Sequence, residues 1–194
     1  MSATGEATSP SRLRADARRN ADQIRRAAID AFQDNGLSVP LEEVAKAAGV
    51  SKATIFNRFG GRIGLIDAVI EEVVATELHP IIDRARAIDD VGERLVGYVS
   101  DIRDLQYRRS AFVDVMLQTY PDSPGLVELC RVGGDFNDEL VAAARAAGVL
   151  REDFTASDLH ALLRDNALSL KHGGRPSRED YDRRTVFTLE GIRA

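Results

Sequence analysis

Residues 45–62 read "AKAAGVSKATIFNRFGGR", with glycine at 49 and again at 60 and 61. Between these glycines Ser51 is a good N-cap for a helix reaching about Phe59. A helix shorter than about 12–15 residues is marginal alone in water, so packing must hold this one. Upstream, a second short helix fits Leu41–Ala48, with Pro40 at its first position and Gly49 available for a left-handed stop. Two short helices joined by a three-residue turn containing glycine make the helix-turn-helix pattern. With Ile55 facing inward and an advance of about 100° per residue, Phe59 falls beside it and anchors the same side. Ala53 and Asn57 then point outward, flanked by Thr54 and Phe56. Lys52 opens the helix, and Arg58 and Arg62 close its far end.

The flanking chain explains what would hold this pair. From Leu13 to Asn35 the apolar residues Ile24, Ala27, Ala28, Ala31 and Phe32 recur at helical spacing, and Gly36 follows as a stop. A fourth helix begins at "GGR" with Ile63, Ile66, Val69, Ile70, Val73 and Val74 as apolar cover; Pro80 should break or kink it at His79. Further helices are expected over Val91–Tyr107 and Ser110–Tyr120. After the turn signal "PDSPG" another fits Leu126–Ala147, interrupted by Gly133 and Gly134. "TASD" and "SRED" resemble capping boxes that start helices at about Thr155 and Ser177. No strand alternation stands out, so the expected fold is all-α. Residues 1–12 read as a disordered tail, 13–62 as a three-helix head carrying the helix-turn-helix, and 63–194 as a larger helical domain.

Charge divides along the same line. The chain carries −5 overall. Residues 1–63 hold 10 basic and 7 acidic side chains, whereas residues 64–194 hold 16 and 24. No acidic residue lies between Gly49 and Leu65, as approach to a polyanion requires. The outward face of the third helix suits the major groove of DNA. Ala53 and Thr54 permit close approach and can meet a thymine methyl, Asn57 can pair with adenine, and Lys52 can reach guanine acceptors. Arg58, Arg62 and the first helix's arginines (Arg12, Arg14, Arg18, Arg19, Arg25 and Arg26) are expected at phosphates, with Ser38 and the helix N-termini adding contacts.

These residues also carry a resemblance. "VPLEEVAKAAGVSKATIFNRFGGRIGLIDAV", residues 39–69, strongly resembles the DNA-binding segment of the TetR-type bacterial transcriptional regulators. It extends over about residues 18–70, and "AAGVSKATIFNRF" is its specific part. The resemblance implies DNA contacts at Lys52, Ala53, Thr54, Phe56, Asn57, Arg58 and Arg62. Phe56 stands where the family usually has tyrosine, which removes a hydroxyl. Pro40 replaces a frequent phosphate-binding threonine, and Arg62 replaces a common lysine. The resemblance further implies a small-molecule effector bound among the middle helices, pairing through the last two helices, and repression as the usual outcome.

The remaining chain supports this in outline. Leu159, Leu162, Leu163, Ala167 and Leu170 make one apolar stripe, and Val186, Leu189 and Ile192 another; each can fill a core or pair two subunits. Two recognition helices related by a two-fold axis would read half-sites about 34–36 Å apart on a palindromic operator. Candidate pocket residues combine bulk with polar handles: Tyr98, Tyr107, Phe112, Met116, Tyr120, Phe136, His160 and Asn166. The single cysteine, Cys130, excludes an intrachain disulfide, and no metal or cofactor motif is present. No membrane-length apolar run or signal-peptide core occurs, so a cytoplasmic protein is expected. The competing classes are a helical enzyme and a helical interaction protein that reads no DNA. Against the enzyme, His79, His160 and His172 lie far apart and no nucleophile or phosphate-loop motif appears.

Overall fold

The computed structural model describes residues 10–117 and 123–194, and ten α-helices organise them. Helix α1 spans Pro10–Asn35, α2 Leu41–Ala47, α3 Lys52–Phe59 and α4 Arg62–Val73. One π-helical turn, Val74–Leu78, leads into α5, His79–Arg86. Then follow α6 Val91–Arg108, α7 Ser110–Met116, α8 Pro124–Ala146, α9 Ala156–His172 and α10 Arg178–Ile192. Among the described residues the sole β feature is one isolated bridge between Leu150 and Arg193. No described helix is long and apolar enough to cross a membrane.

The four N-terminal helices hold one another through the residues their spacing selects. Ile24, Ala28 and Phe32 lie on one line of α1 and are fully buried. Val44 and Ala45 of α2, Ile55 of α3, and Leu65 and Ile66 of α4 complete that core. Both turns around α3 use left-handed glycine, at Gly49 (φ 65°) and Gly60 (φ 72°). Backbone at positive φ is cheap only for glycine, so the start and end of α3 are set locally. Ser51 accepts the Thr54 N–H at 3.1 Å, the expected cap.

Helix α6 runs through the middle of the larger part and packs against α5, α7, α8, α9 and α10. Its buried Leu95, Tyr98, Val99, Ile102 and Leu105 follow the 3–4 residue repeat. Polar bonds tie its far half to α9 and α10. Gln106 donates to the Leu163 carbonyl at 2.9 Å, and Asn166 donates to Gln106 Oε1 at 2.5 Å and to the Tyr181 hydroxyl at 2.7 Å. Buried Arg103 donates to Thr185 Oγ1 at 2.9 Å and lies over the Tyr181 ring.

Three sequence expectations change here. Pro80 does not break the chain: His79 keeps helical angles (φ −58°, ψ −47°), and the π turn just before it widens the backbone. A proline ring crowds the carbonyl four residues earlier, and a wider turn relieves that clash. Gly133 and Gly134 do not interrupt α8, which is continuous over 23 residues. Pro40 occupies the N-cap of α2 rather than its first turn. Other boundaries agree more closely. The Thr155–Asp158 capping box forms in both directions, and α1 begins at Pro10, inside the expected tail. The rest of that tail, residues 1–9, lies outside the described residues.

Candidate nucleic-acid interface and internal cavity

Helix α3 presents two sides of opposite character. Ile55 is fully buried and Phe59 half-buried, so this side is clamped to the core. Ala53 and Asn57 are exposed on the other side, as are Lys52 and Arg58. Thr54 is half-buried because its hydroxyl lies 2.9 Å from that of Ser51, within the cap. Phe56 is 49% exposed, which settles its direction: it faces outward, not into the core. Its ring lies over Gly61, where an added Cβ would come within 2.9 Å of it. The surface is therefore a ridge of small, amide and aromatic groups with cations at its ends.

The cations differ in how they are held. Arg58 forms no ion pair among the described residues. Lys52 pairs with Glu42 on α2, and that hydrogen bond holds the Glu42 carboxyl below its ordinary range. Arg62 has a second task. Its guanidinium donates to the Leu37 carbonyl and, at 2.7 Å, to the Val39 carbonyl, so it also braces the α1–α2 loop that carries exposed Ser38. On α1, Arg19 pairs with Asp16 and Arg25 with Asp22, so these arginines are partly neutralised locally. Gln23 donates to the Ala48 carbonyl at 2.9 Å and pins the turn before α3, a role that no sequence pattern marked.

A cavity of about 80 Å³ lies deeper, between α6, α7, α8 and α9. Of the eight expected pocket residues, Tyr98, Phe112, Met116 and His160 line it. Tyr107 does not. It faces the α10 side, where its ring packs against Tyr181 and its hydroxyl donates to the Pro176 carbonyl at 3.0 Å. Phe136 is buried behind the wall, edge-on to Tyr98 at 4.8 Å between centroids. Asn166 is occupied by Gln106 and Tyr181, so its role is to join helices. Tyr120 lies outside the described residues.

The cavity's main polar group, Asn137, was not anticipated. It is 4% exposed and accepts the Tyr98 hydroxyl at 2.8 Å. Burial pushes the Tyr98 hydroxyl's pKa far up, so it remains a neutral donor. The absence of side chains at Gly133 and Gly134 opens the α8 wall, and Arg164 borders the same space. A lone asparagine inside an amphipathic helix gives no sequence signal; paired mid-helix glycines were the available clue. Among the described residues, no group of histidine, cysteine and carboxylate side chains could hold a metal ion.

Two carboxylate contacts, one buried and one half-buried, join this region to the N-terminal helices. Asp114 of α7, 1% exposed, accepts the Leu37 N–H at 2.6 Å and the Lys171 ammonium at 2.5 Å. Asp67 of α4 accepts the Gly125 N–H at 3.2 Å and the Ser123 hydroxyl at the start of α8.

Comparison with known proteins agrees with this geometry. Residues 24–69 match the family described as "Bacterial regulatory proteins, tetR family". The HTH-type transcriptional regulatory protein RaaS of Mycobacterium tuberculosis is 43% identical over 57 residues, covering 29% of this chain and 26% of that protein. The chain thus matches about a quarter of that relative's length. The TetR transcription regulatory protein from Mycobacterium vanbaalenii is 29% identical, with 94% of this chain and 99% of that one covered at a TM-score of 0.53. The transcriptional regulator FadR from Bacillus subtilis, solved in complex with stearoyl-CoA, shares the fold. It covers 87% of this chain and 95% of its own at a TM-score of 0.66, with 16% identity. Residues 24–69 thus carry a segment similar to the tetR family of bacterial regulatory proteins, set on an all-α body that shares the fold of TetR-type regulators.

Proposed function

We propose that this protein is a ligand-responsive repressor that binds a palindromic operator as a homodimer, in the cytoplasm. The division of labour follows the chain: residues 13–62 read DNA, and residues 63–194 bind the effector and pair subunits. The observation that carries the reading is the outward face of α3. Lys52, Ala53, Phe56, Asn57 and Arg58 are exposed there while Ile55 anchors the helix from behind. Such a ridge enters a major groove, where Asn57 pairs with adenine and small residues allow close approach. Arg58 and the N-terminus of α3 then meet phosphates, Lys52 reaches guanine acceptors, and Ser38 and Ser51 add contacts.

Pairing is supported by exposed apolar side chains on the last helices. Val186 and Phe187 of α10 are 50% and 60% exposed, and Leu168 of α9 is 40% exposed. A second copy would cover them and set the distance between two α3 helices. An effector in the cavity would press on Phe112 and Met116 of α7, which flank Asp114 and its bond to the α1–α2 loop. A ligand shifts the operator-binding conformation only as far as its affinities for the two states differ.

Salt titration of duplex binding tests the reading. Affinity should fall steeply with salt, with a slope of about −0.9 per phosphate neutralised. Arg58→Ala should make that slope shallower by about one. Salt-insensitive binding, or no binding to any duplex, would leave the fold as a helical interaction protein.

A further inference from the structure

The cavity's wall narrows what can occupy it. Among the described residues lining it there is no aspartate or glutamate, and its interior is apolar apart from Tyr98 and Asn137. His160 and Arg164, one helical turn apart on α9, are exposed residues at its border. The Tyr98 hydroxyl donates to Asn137 Oδ1, which leaves the amide nitrogen without a hydrogen-bond partner among the described residues. That nitrogen is not sealed from water, so a ligand oxygen there would replace a bond to water with a direct one. At Gly133 an added Cβ would meet nothing within 4 Å, so the missing side chain leaves space. Glycine inside a helix weakens it relative to alanine, which gives that space a cost.

We infer that the cavity takes a mainly apolar molecule whose carbonyl-type oxygen accepts a hydrogen bond from Asn137 Nδ2, and that it rejects ammonium-bearing amphiphiles. This rests on the effector role proposed for the cavity. A cation entering it would give up water and find no carboxylate, and burying a charge without a partner is unfavourable. A ketone or ester loses less on desolvation and recovers a hydrogen bond. A hydrocarbon of the same shape enters but leaves the Asn137 amide unpaired.

Three probes on one skeleton separate these cases: 4-phenyl-2-butanone, butylbenzene and 4-phenylbutan-2-amine. Their dissociation constants are measured by calorimetry on the full chain, with circular dichroism to verify each variant's fold. The ketone should bind about 3- to 10-fold more tightly than butylbenzene, the range of one neutral hydrogen bond. The amine should bind weakest. Asn137→Leu should remove the preference for the ketone and keep butylbenzene binding. Tyr98→Phe, which retains the amide, should keep that preference. Gly133→Leu, which fills the space, should weaken all three.

Strongest binding by the amine, or a ketone preference that survives Asn137→Leu, would overturn the ligand class. If Gly133→Leu still weakened binding in that case, the cavity would stand as the probes' binding site and only the ligand class would fall. No binding of any probe to the wild-type chain would overturn the class and the use of this cavity together. Salt-dependent DNA binding, measured separately, would be untouched by that result.

Discussion

Asp114→Ala tests how the body holds the N-terminal helices. The carboxylate is 1% exposed and accepts from the Leu37 N–H and the Lys171 ammonium. A hydrogen bond to a charged group contributes about 1.5–3 kcal/mol. The Lys171 side chain is 35% exposed, so water recovers part of its share when the carboxylate is lost. The expected loss is therefore about 3 kcal/mol, near the low end for breaking a buried pair. For a chain of this size each kcal/mol lowers Tm by about 2–4 °C, so Asp114→Ala should melt about 6–12 °C lower. Asp114→Asn keeps an acceptor in place and should lose about half as much. Thermal denaturation followed by circular dichroism measures both. An operator titration with and without effector should also show a smaller effector response, because α7 no longer pulls on the α1–α2 loop. A Tm within about 2 °C of wild type for Asp114→Ala would refute the idea that this carboxylate secures the loop.

The remaining predictions concern other parts of the chain. Asn57→Ala should relax sequence preference by about 1–3 kcal/mol at one operator position, read by comparing matched and single-mismatch duplexes. Phe187→Asp on α10 should dissociate the proposed dimer while leaving the monomer folded, as seen by sedimentation. Acid should loosen α10 from α6 through Asp104. Burial raises the pKa of that group, but hydrogen bonds from Arg178 and Arg108 outweigh burial and hold it below the ordinary 3.8. A depressed carboxylate contributes stability that is present above its unfolded pKa and lost as pH falls through its folded one. Stability measured from pH 7 to 5 should show no change from this group, with decline only below about pH 4, and Asp104→Asn should flatten that decline.

How much of this was legible beforehand depended on whether a feature was local. The start and end of α3 follow from Ser51, Gly49 and Gly60, whose backbone needs are written in their own residue types. Burial of Ile24, Ala28 and Phe32 followed from spacing alone. Contacts between distant segments were not legible. Nothing around Asp114 announces a bond to Leu37, 77 residues away, and nothing around Arg62 announces its hold on Val39. The cavity was half visible for the same reason. Bulky aromatic residues were natural candidates, yet Tyr107 and Phe136 pack elsewhere, while Asn137, Gly133 and Gly134 of α8 shape the space. Pro80 taught the opposite lesson: a strong local signal was absorbed by a single wide turn.

The most direct measurement is selection of bound duplexes from a random pool, run in parallel with the wild-type chain and with Asn57→Ala. If α3 reads the major groove of a two-fold operator, the wild type should enrich a palindrome. Its half-sites should sit about 34–36 Å apart or at a multiple of that spacing. Asn57→Ala should enrich the same palindrome with one adenine position degenerate in each half. An unenriched pool, or an identical site from both proteins, would contradict the placement of sequence reading on α3.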